Sequence, residues 1–250
     1  MDDVTRPPTL GGLFGQSTSL LFANAAPLAA LCTLGVGFDA LLTYVGGFIT
    51  FGYGEPVFAL VSTVLQEVLY FGPAVLLWDL VLRERIGDDR AEPRTGPLDG
   101  AVFGTLVSGF ASKRAWSIAL AVTVLYSVVF FVLGCLGLAA GGFLTLFVPG
   151  ALTIAVKLLR TVIGPVVGLG YLATAIAVAR PARSAIDAML ASAKLMLSRP
   201  LLIGLVLSVG GFLEEAAGLT VVLGILLDAF LLCYCTVLLR SLREAGQLPE

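Results

Sequence analysis

Three carboxyl side chains lie near the middle of long apolar stretches of this sequence: Asp39, Glu67 and Asp228. Burying an ionised carboxylate in hydrocarbon costs about 2.5 kcal/mol or more, so such groups usually face a helix-bundle interior and often mark ion or proton paths. Lys157 and Arg160 lie in a further apolar stretch and could supply counter-charges. Alternatively, the acids are protonated and hydrogen-bonded between helices as packing contacts. The sequence thus predicts either a proton or cation relay, or polar packing.

Other kinds of chemistry find little support in the residue types. The chain contains no His, which removes the commonest general base, the commonest metal ligand and every Ser-His or Cys-His dyad. It has no GxxxxGK[ST], GxSxG or HExxH motif, so phosphate-loop, hydrolase and zinc-protease sites are not indicated. We interpret the four cysteines as small packing residues, because they lie in apolar runs without CxxC spacing. We therefore predict no enzymatic activity, no metal and no cofactor.

The composition indicates what must position these residues. Hydrophobic side chains make up 58% of the 250 residues, charged side chains 13%, and the mean hydropathy is +1.00. Soluble domains are about 45–50% apolar and about 25% charged. A bilayer core about 30 Å thick needs roughly 20 apolar residues per helix. We therefore predict an all-α integral membrane protein, with residues 1–250 forming one membrane domain of about six transmembrane helices.

The basic residues predict the orientation, because Lys and Arg near helix ends favour the cytoplasmic face. All of the 15 Lys and Arg residues except Lys157 and Arg160 fall in the tails or in two polar stretches that the predicted spans place on one side. Both termini are therefore expected in the cytoplasm of a prokaryotic cell, with the chain in the plasma membrane. Six basic residues beside predicted interfacial helices either bind anionic lipid head groups, at about 1 kcal/mol each, or only fix orientation. These are Lys113, Arg114, Arg180, Arg183, Lys194 and Arg199.

The span boundaries are clear in some places and ambiguous in others. Residues 143–179 would form a helix of about 55 Å, so we expect a break near Pro149 or Pro165 that separates a lateral or re-entrant helix from a span. Residues 200–213 are short for a span, so this helix either begins earlier or crosses only partly. The GxxxG pair Gly164 and Gly168 predicts close helix packing. The predicted spans are 27–49, 56–82, 115–139, 161–178, 200–213 and 219–239, with an external turn at 137–142 and the lateral helix at 143–160.

An internal repeat organises these spans. Segments 12–26, 101–115 and 185–199 each precede a span and each carry a serine at the same offset, namely Ser19, Ser108 and Ser192. Their apolar residues recur at steps of three and four, as expected for helices in the interface plane. The sequence therefore predicts three units of interfacial helix plus membrane hairpin, at about 9–84, 98–179 and 182–243.

The stretch 177–244 carries a family resemblance. It contains Ala-Arg-Pro-Ala-Arg-Ser-Ala-Ile-Asp-Ala-Met-Leu, then a glycine-rich hairpin, then Tyr-Cys-Thr-Val-Leu-Leu-Arg-Ser-Leu-Arg. It resembles the six-span membrane domain that precedes the catalytic domain in some bacterial glycerophosphoryl diester phosphodiesterases. The resemblance implies a lipid-interacting membrane domain, without phosphodiesterase activity. The sulfate-permease family is similar in outline, although this chain lacks the Pro- and Asn-rich final hairpin expected there.

Two functional hypotheses follow, with a third as alternative. The first is a non-catalytic plasma-membrane protein that interacts with lipids or handles amphipathic molecules, as the resemblance implies. The second is a small-ion or anion permease that uses the three intramembrane acids with Lys157 and Arg160. The third is an inert scaffold that binds a membrane partner. Membrane lipids are the expected partners, nucleic acid is not, and a homo-oligomer is compatible with all three.

Overall fold

The computed structural model describes most of the chain, and every regular element in the described part is a helix. The all-α prediction is therefore confirmed there. Side chains are described only in part within 130–163 and 212–221. The described residues are 9–26, 28–33, 63–65, 67–75, 77–78, 110–145, 151–180, 183–217 and 221–247, with single positions at 37, 41, 44, 61 and 107.

Six α-helices and one π-helical turn are bounded as follows. In chain order they are α1 (Leu10–Ala23), α2 (Lys113–Thr145), α3 (Ala151–Ala179), α4 (Ala185–Ser198), the π-helical turn Pro200–Leu205, α5 (Val206–Ala217) and α6 (Val221–Glu244). Residues 67–75, between α1 and α2, are also helical.

The helices α1 and α4 are built alike. Each has 14 residues and begins at a hydroxyl N-cap, because the side chains of Thr9 and Ser184 accept hydrogen bonds from backbone N–H groups three residues later. Both bury their fourth, eighth and eleventh residues. The shared pattern aligns the buried Ser17 with the buried Ser192. The repeat predicted from the sequence placed Ser19 opposite Ser192, two residues away from this alignment, and it stays a prediction.

The helices α2 and α3 correct two predictions about boundaries. Residues 137–142, predicted as an external turn, continue α2, because glycine weakens a helix by about 1 kcal/mol each without ending it. The predicted lateral helix 143–160 is divided between α2 and α3. The latter runs unbroken through Pro165 for 29 residues, or about 44 Å. Because α3 packs against α2, α4, α5 and α6, tertiary contacts can outweigh the proline penalty of about 3 kcal/mol.

The chain turns sharply between α4 and the helix that follows it. Ser198 ends α4, and the helical axis bends by 109° into Pro200–Gly211. Proline at position 200 opens the π-helical turn, where its missing N–H is not needed. The short apolar segment that begins at residue 200 therefore does not continue α4 in a straight line. Instead, α4 lies nearly across it.

At the centre of the described helices, α3 packs against α2, α4, α5 and α6, while α1 packs against α6. The contact between α3 and α5 depends on glycines. A Cβ atom on Gly168 would lie 2.6 Å from the Leu207 Cβ, and one on Gly211 would lie 2.5 Å from the Gly164 carbonyl oxygen. The predicted packing pair Gly164 and Gly168 thus lies at a close approach of two helix backbones.

One helix in the described part is long and apolar enough to cross a membrane by itself. It is Val222–Glu244, with a mean hydropathy of 2.4. The bent pair Ala185–Ser198 and Pro200–Gly211 would count as a second if it formed one broken span. The number of spans predicted from the sequence, about six, stays a prediction.

Candidate functional site

A buried carboxyl group joins three helical segments in the interior. Asp228 in α6 is 1% exposed. Its Oδ2 accepts a hydrogen bond from the Tyr70 hydroxyl at 2.8 Å, and its Oδ1 accepts one from the Tyr171 hydroxyl at 2.5 Å. Tyr70 lies in the helical residues 67–75 and Tyr171 in α3, so one side chain connects α6 to both. We call Asp228, Tyr70, Tyr171 and Glu67 the interior cluster.

The chemistry of the interior cluster follows from its residue types. A buried phenol needs a hydrogen-bond partner for its O–H, and a carboxylate can accept at both oxygens. Hydrogen bonds to a carboxylate are shorter and about twice as strong as neutral ones. The two tyrosine rings also contact each other, with centroids 5.2 Å apart. Asp228 therefore accepts on both sides within a small aromatic enclosure.

Glu67 lies one helical turn before Tyr70 and also belongs to the interior cluster. Its Oε1 lies 3.6 Å from where a Cβ on Gly170 would be, next to Tyr171, and it is close enough to Asp228 for their charges to interact. The structure thus brings together two of the three acids singled out in the sequence. Asp39, the third, lies outside the described residues. Lys157 and Arg160 lie on α3, but their side chains are outside the described part.

Sequence reasoning missed the two tyrosines. Tyrosine in membrane proteins concentrates at the two interfaces, whereas Tyr70 and Tyr171 lie within apolar runs, each buried. A phenol in such a position requires an acceptor, and the only acidic side chains in comparable positions are the three carboxyls. The combination of tyrosines and carboxyls within apolar runs was therefore the signal in the sequence that could have identified the cluster.

A second group of polar side chains lies at the ends of α2, α3 and α4. An Nη of Arg114 donates to the Arg180 carbonyl oxygen at 2.6 Å, and the Arg183 N–H donates to the same carbonyl at 3.2 Å. Lys113 immediately precedes Arg114 at the start of α2. We call Lys113, Arg114, Arg180 and Arg183 the cationic corner. It contains four of the six predicted head-group residues.

The cationic corner combines basic side chains with one nearby carboxylate. Partial burial lowers the pKa of Arg114, yet a guanidinium stays charged at any physiological pH. The nearby Asp187 is engaged with the start of α4, since its Oδ2 accepts from the Ser184 hydroxyl at 2.7 Å. The hydrogen bonds from Ser184, with a smaller effect of Arg183, hold the pKa of Asp187 below its usual value. Among the residues that the structure describes here, four are basic and one, Asp187, is acidic.

The two other predicted head-group residues lie away from this corner. Lys194 is exposed in the third turn of α4, roughly 16 Å along the helix from Arg183. Arg199 is the C-cap of α4, and its guanidinium donates to the Gln247 side chain. The structure therefore separates the six residues into one compact group and two single positions.

The surface of α4 next to the corner is apolar on the side that faces away from the protein. Ala188, Ser192 and Leu195 are buried, while on the opposite face Ile186, Leu190 and Leu197 are 67%, 65% and 81% exposed. A soluble helix would place polar residues on that outer face. The described part of α4 thus presents hydrocarbon outward with cations at its beginning.

Comparison of the chain with protein-family models, curated proteins and solved structures finds no match. The family resemblance inferred from the sequence therefore stays a prediction. Among the side chains that the structure describes, no three His, Cys, Asp or Glu residues are grouped to hold a metal ion. The site can offer two kinds of polar chemistry: a buried carboxyl and phenol cluster, and a cationic surface beside apolar helix faces.

Proposed function

We propose that this chain is a non-catalytic, multi-pass membrane protein that binds anionic lipid head groups at its cationic corner. In this proposal the three repeats each contribute an interfacial helix and a hairpin, giving about six spans, with both termini in the cytoplasm of a prokaryote. The observation that carries it is the hydrogen bond from the Arg114 guanidinium to the Arg180 carbonyl oxygen, which joins the start of α2 to the end of α3, two helix ends that carry basic residues beside α4.

The outer surface of the helix bundle supports the membrane location. Along α2, Leu120, Val124, Val128 and Phe131 are 53%, 60%, 53% and 72% exposed at steps of four and three residues. From Ala115 to Thr145 this helix has no charged residue. Soluble monomers rarely expose long continuous apolar stripes, whereas a lipid-facing helix does so along its whole length.

The geometry of α4 supports an interfacial position. The 109° bend at its end sets α4 nearly across the apolar segment that follows. If that segment crosses the membrane, α4 lies close to the membrane plane, and its exposed Ile186, Leu190 and Leu197 are placed to enter the acyl region. A lipid phosphate at Lys113 and Arg183 would then have its chains beside Ile186 and Leu190.

Membrane integration is tested by alkaline carbonate extraction and by cysteine accessibility. We expect the protein to remain in the membrane pellet. A cysteine placed at Arg90 should react with an impermeant reagent only after the cells are opened. Release of the protein by carbonate, or labelling of that cysteine in intact cells, would contradict the proposal.

Head-group binding is tested by native mass spectrometry of the purified protein in detergent with phosphatidylglycerol. Near a surface each cation contributes about 1 kcal/mol to binding anionic lipid, or about fivefold. The double variant Lys113→Gln/Arg183→Gln should therefore bind phosphatidylglycerol roughly 25-fold more weakly. The matched control Lys194→Gln/Arg243→Gln also removes two exposed cations but leaves the corner intact, so it should lose about fivefold or less. Equal losses in the two double variants would show that only total charge matters.

The interior cluster favours a second candidate function, an ion or proton permease. Its specific support is that Glu67 and Asp228, far apart in sequence, lie together in the interior with two phenols that could pass protons. Intramembrane acids often form such relays. The test is ion or proton flux into proteoliposomes, with Glu67→Gln as variant. Flux that the variant abolishes supports the permease, and no flux above empty liposomes leaves the cluster as helix packing.

A further inference from the structure

A polar groove lies between α1 and the C-terminal end of α6. It has a volume of about 250 Å³ and is open on one side. The residues that line it are Gln16, Ser19, Leu20 and Ala23 of α1, and Val237, Arg240 and Glu244 of α6. Neither the interior cluster nor the cationic corner includes any of these residues. The groove is therefore a separate feature.

The groove occupies a place that resembles the cationic corner. In both, a long apolar helix ends in two arginines three residues apart, Arg180 and Arg183 after α3 and Arg240 and Arg243 in α6. In both, this helix packs against a 14-residue helix with the same burial pattern, α4 in one case and α1 in the other. If α3 and α6 both return to the cytoplasmic face, the groove lies at the level of the lipid head groups.

The charges in the groove differ from those in the corner. Arg240 Nε donates to Glu244 Oε1 at 3.1 Å, and both side chains are about one-third exposed. Gln16 and Ser19 face them with an amide and a hydroxyl. Among its described lining residues, the groove thus has one cation, one anion and two neutral hydrogen-bonding groups. An exposed pair four residues apart on a helix contributes little free energy, so a ligand can compete with it.

We propose that this groove binds the zwitterionic head group of an aminophospholipid, phosphoethanolamine on a diacylglycerol. The phosphate accepts hydrogen bonds from Arg240 and Ser19, and the ammonium donates to Glu244. Phe22, three residues beyond Ser19, is 73% exposed, so apolar surface for an acyl chain lies beside the groove. The inference rests on the proposed membrane location but not on lipid binding at the cationic corner.

The experiment is native mass spectrometry of the full chain in detergent, titrated with phosphatidylethanolamine and, separately, with phosphatidylglycerol. We expect Glu244→Gln to weaken binding of phosphatidylethanolamine about fivefold and to leave that of phosphatidylglycerol unchanged or stronger. Arg240→Gln should weaken binding of phosphatidylethanolamine by a similar factor. Arg243→Gln is the matched control, because Arg243 is exposed on the same helix end but does not line the groove. It should leave phosphatidylethanolamine binding unchanged.

The two proposals fail in different ways. Suppose that Lys113→Gln/Arg183→Gln weakens binding of phosphatidylglycerol, while neither Arg240→Gln nor Glu244→Gln changes binding of phosphatidylethanolamine. The groove proposal is then overturned and the corner proposal stands. If carbonate extracts the protein, both are overturned. A third titration uses soluble glycerophosphoethanolamine. We expect it to displace bound phosphatidylethanolamine only weakly, because it has no acyl chains. If it displaces the lipid at a concentration equal to that of the lipid, a lipid is not the occupant of the groove.

Discussion

The interior cluster and the cationic corner hold polar side chains in opposite ways. In the interior, Asp228 is almost fully buried and both of its oxygens accept hydrogen bonds from other helices. At the corner, Lys113 lies exposed at the start of α2 and Arg183 lies half-buried just before α4. The interior group is fixed by protein contacts, whereas the corner lies at the protein surface.

The difference separates polar groups that stabilise the fold from polar groups that are available to a ligand. A buried hydrogen-bonded carboxylate cannot be altered without leaving its partners unsatisfied. An exposed cation contributes little to folding but retains its charge for binding. Substitutions at Asp228 should therefore change stability, and substitutions at the corner should change lipid binding with stability nearly constant.

The largest expected effect comes from Asp228→Ala. It leaves the hydroxyls of Tyr70 and Tyr171 buried without this acceptor, at about 1–3 kcal/mol each, so we expect a loss of about 3 kcal/mol in unfolding free energy. Thermal unfolding in detergent, followed by tryptophan fluorescence, measures it. Tyr171→Phe removes one of the two hydrogen bonds and should cost about half as much. Unchanged or higher stability in Asp228→Leu would show that the cluster contributes nothing to the fold.

The next largest effect concerns the contact between α3 and α5. In Gly211→Ala the new Cβ would lie 2.5 Å from the Gly164 carbonyl oxygen and 2.9 Å from the Val167 Cβ. Because backbone atoms cannot move aside as a side chain can, we expect a loss of about 1–3 kcal/mol. Gly224→Ala is the matched control, since nothing lies within 4 Å of its Cβ position. It should be neutral or slightly stabilising because alanine favours helix. Equal stability of the two variants would contradict the close approach.

Much of the helical architecture can be predicted from composition and residue spacing. The contacts between the helices cannot. The apolar runs predict helices, and α6 agrees with the predicted span 219–239 to within a few residues. The limits of α2 and α3 were wrong because glycine and proline have local helix penalties that packing can outweigh, as at Pro165. Local residue types do not show how strongly a helix will be packed.

The same distinction between local properties and contacts applies to the candidate sites. The cations of the corner could be listed from the sequence, because charge near a helix end is a local property. Their convergence depends on how α2 and α3 pack, which no local pattern states. Glu67 and Asp228 were singled out by type and position, yet their meeting spans 161 positions of the chain. The tyrosines became visible only with the contacts that they make.

Salt concentration should affect the cationic corner and the interior cluster differently, and this effect should be smaller than those of the substitutions above. The Debye length falls from about 10 Å at 0.1 M to about 3 Å at 1 M, so phosphatidylglycerol binding at the corner should weaken by about 1 kcal/mol or more over this range. The destabilisation caused by Asp228→Ala should stay constant, because buried interactions are screened much less. Lipid binding measured by native mass spectrometry is limited to volatile salts, so ammonium acetate is the salt to vary. Salt-independent binding would indicate that acyl contacts, not charges, hold the lipid at the corner.

The smallest expected effect is a pH dependence at the start of α4. The pKa of Asp187 is lower in the folded protein than its usual 3.8, so its contribution to stability is complete above about pH 4 and is lost as the pH falls through the folded pKa. The difference in melting temperature between the parent and Asp187→Asn should therefore shrink as the pH is lowered from about 5 to about 3. Ser184→Ala removes the hydroxyl that holds this carboxylate and should cost about 1 kcal/mol at neutral pH. It should also reduce the pH dependence. If the parent and Asp187→Asn differ by the same amount at every pH, the capping contact does not hold α4 in place, and the cationic corner would need another anchor beside the membrane.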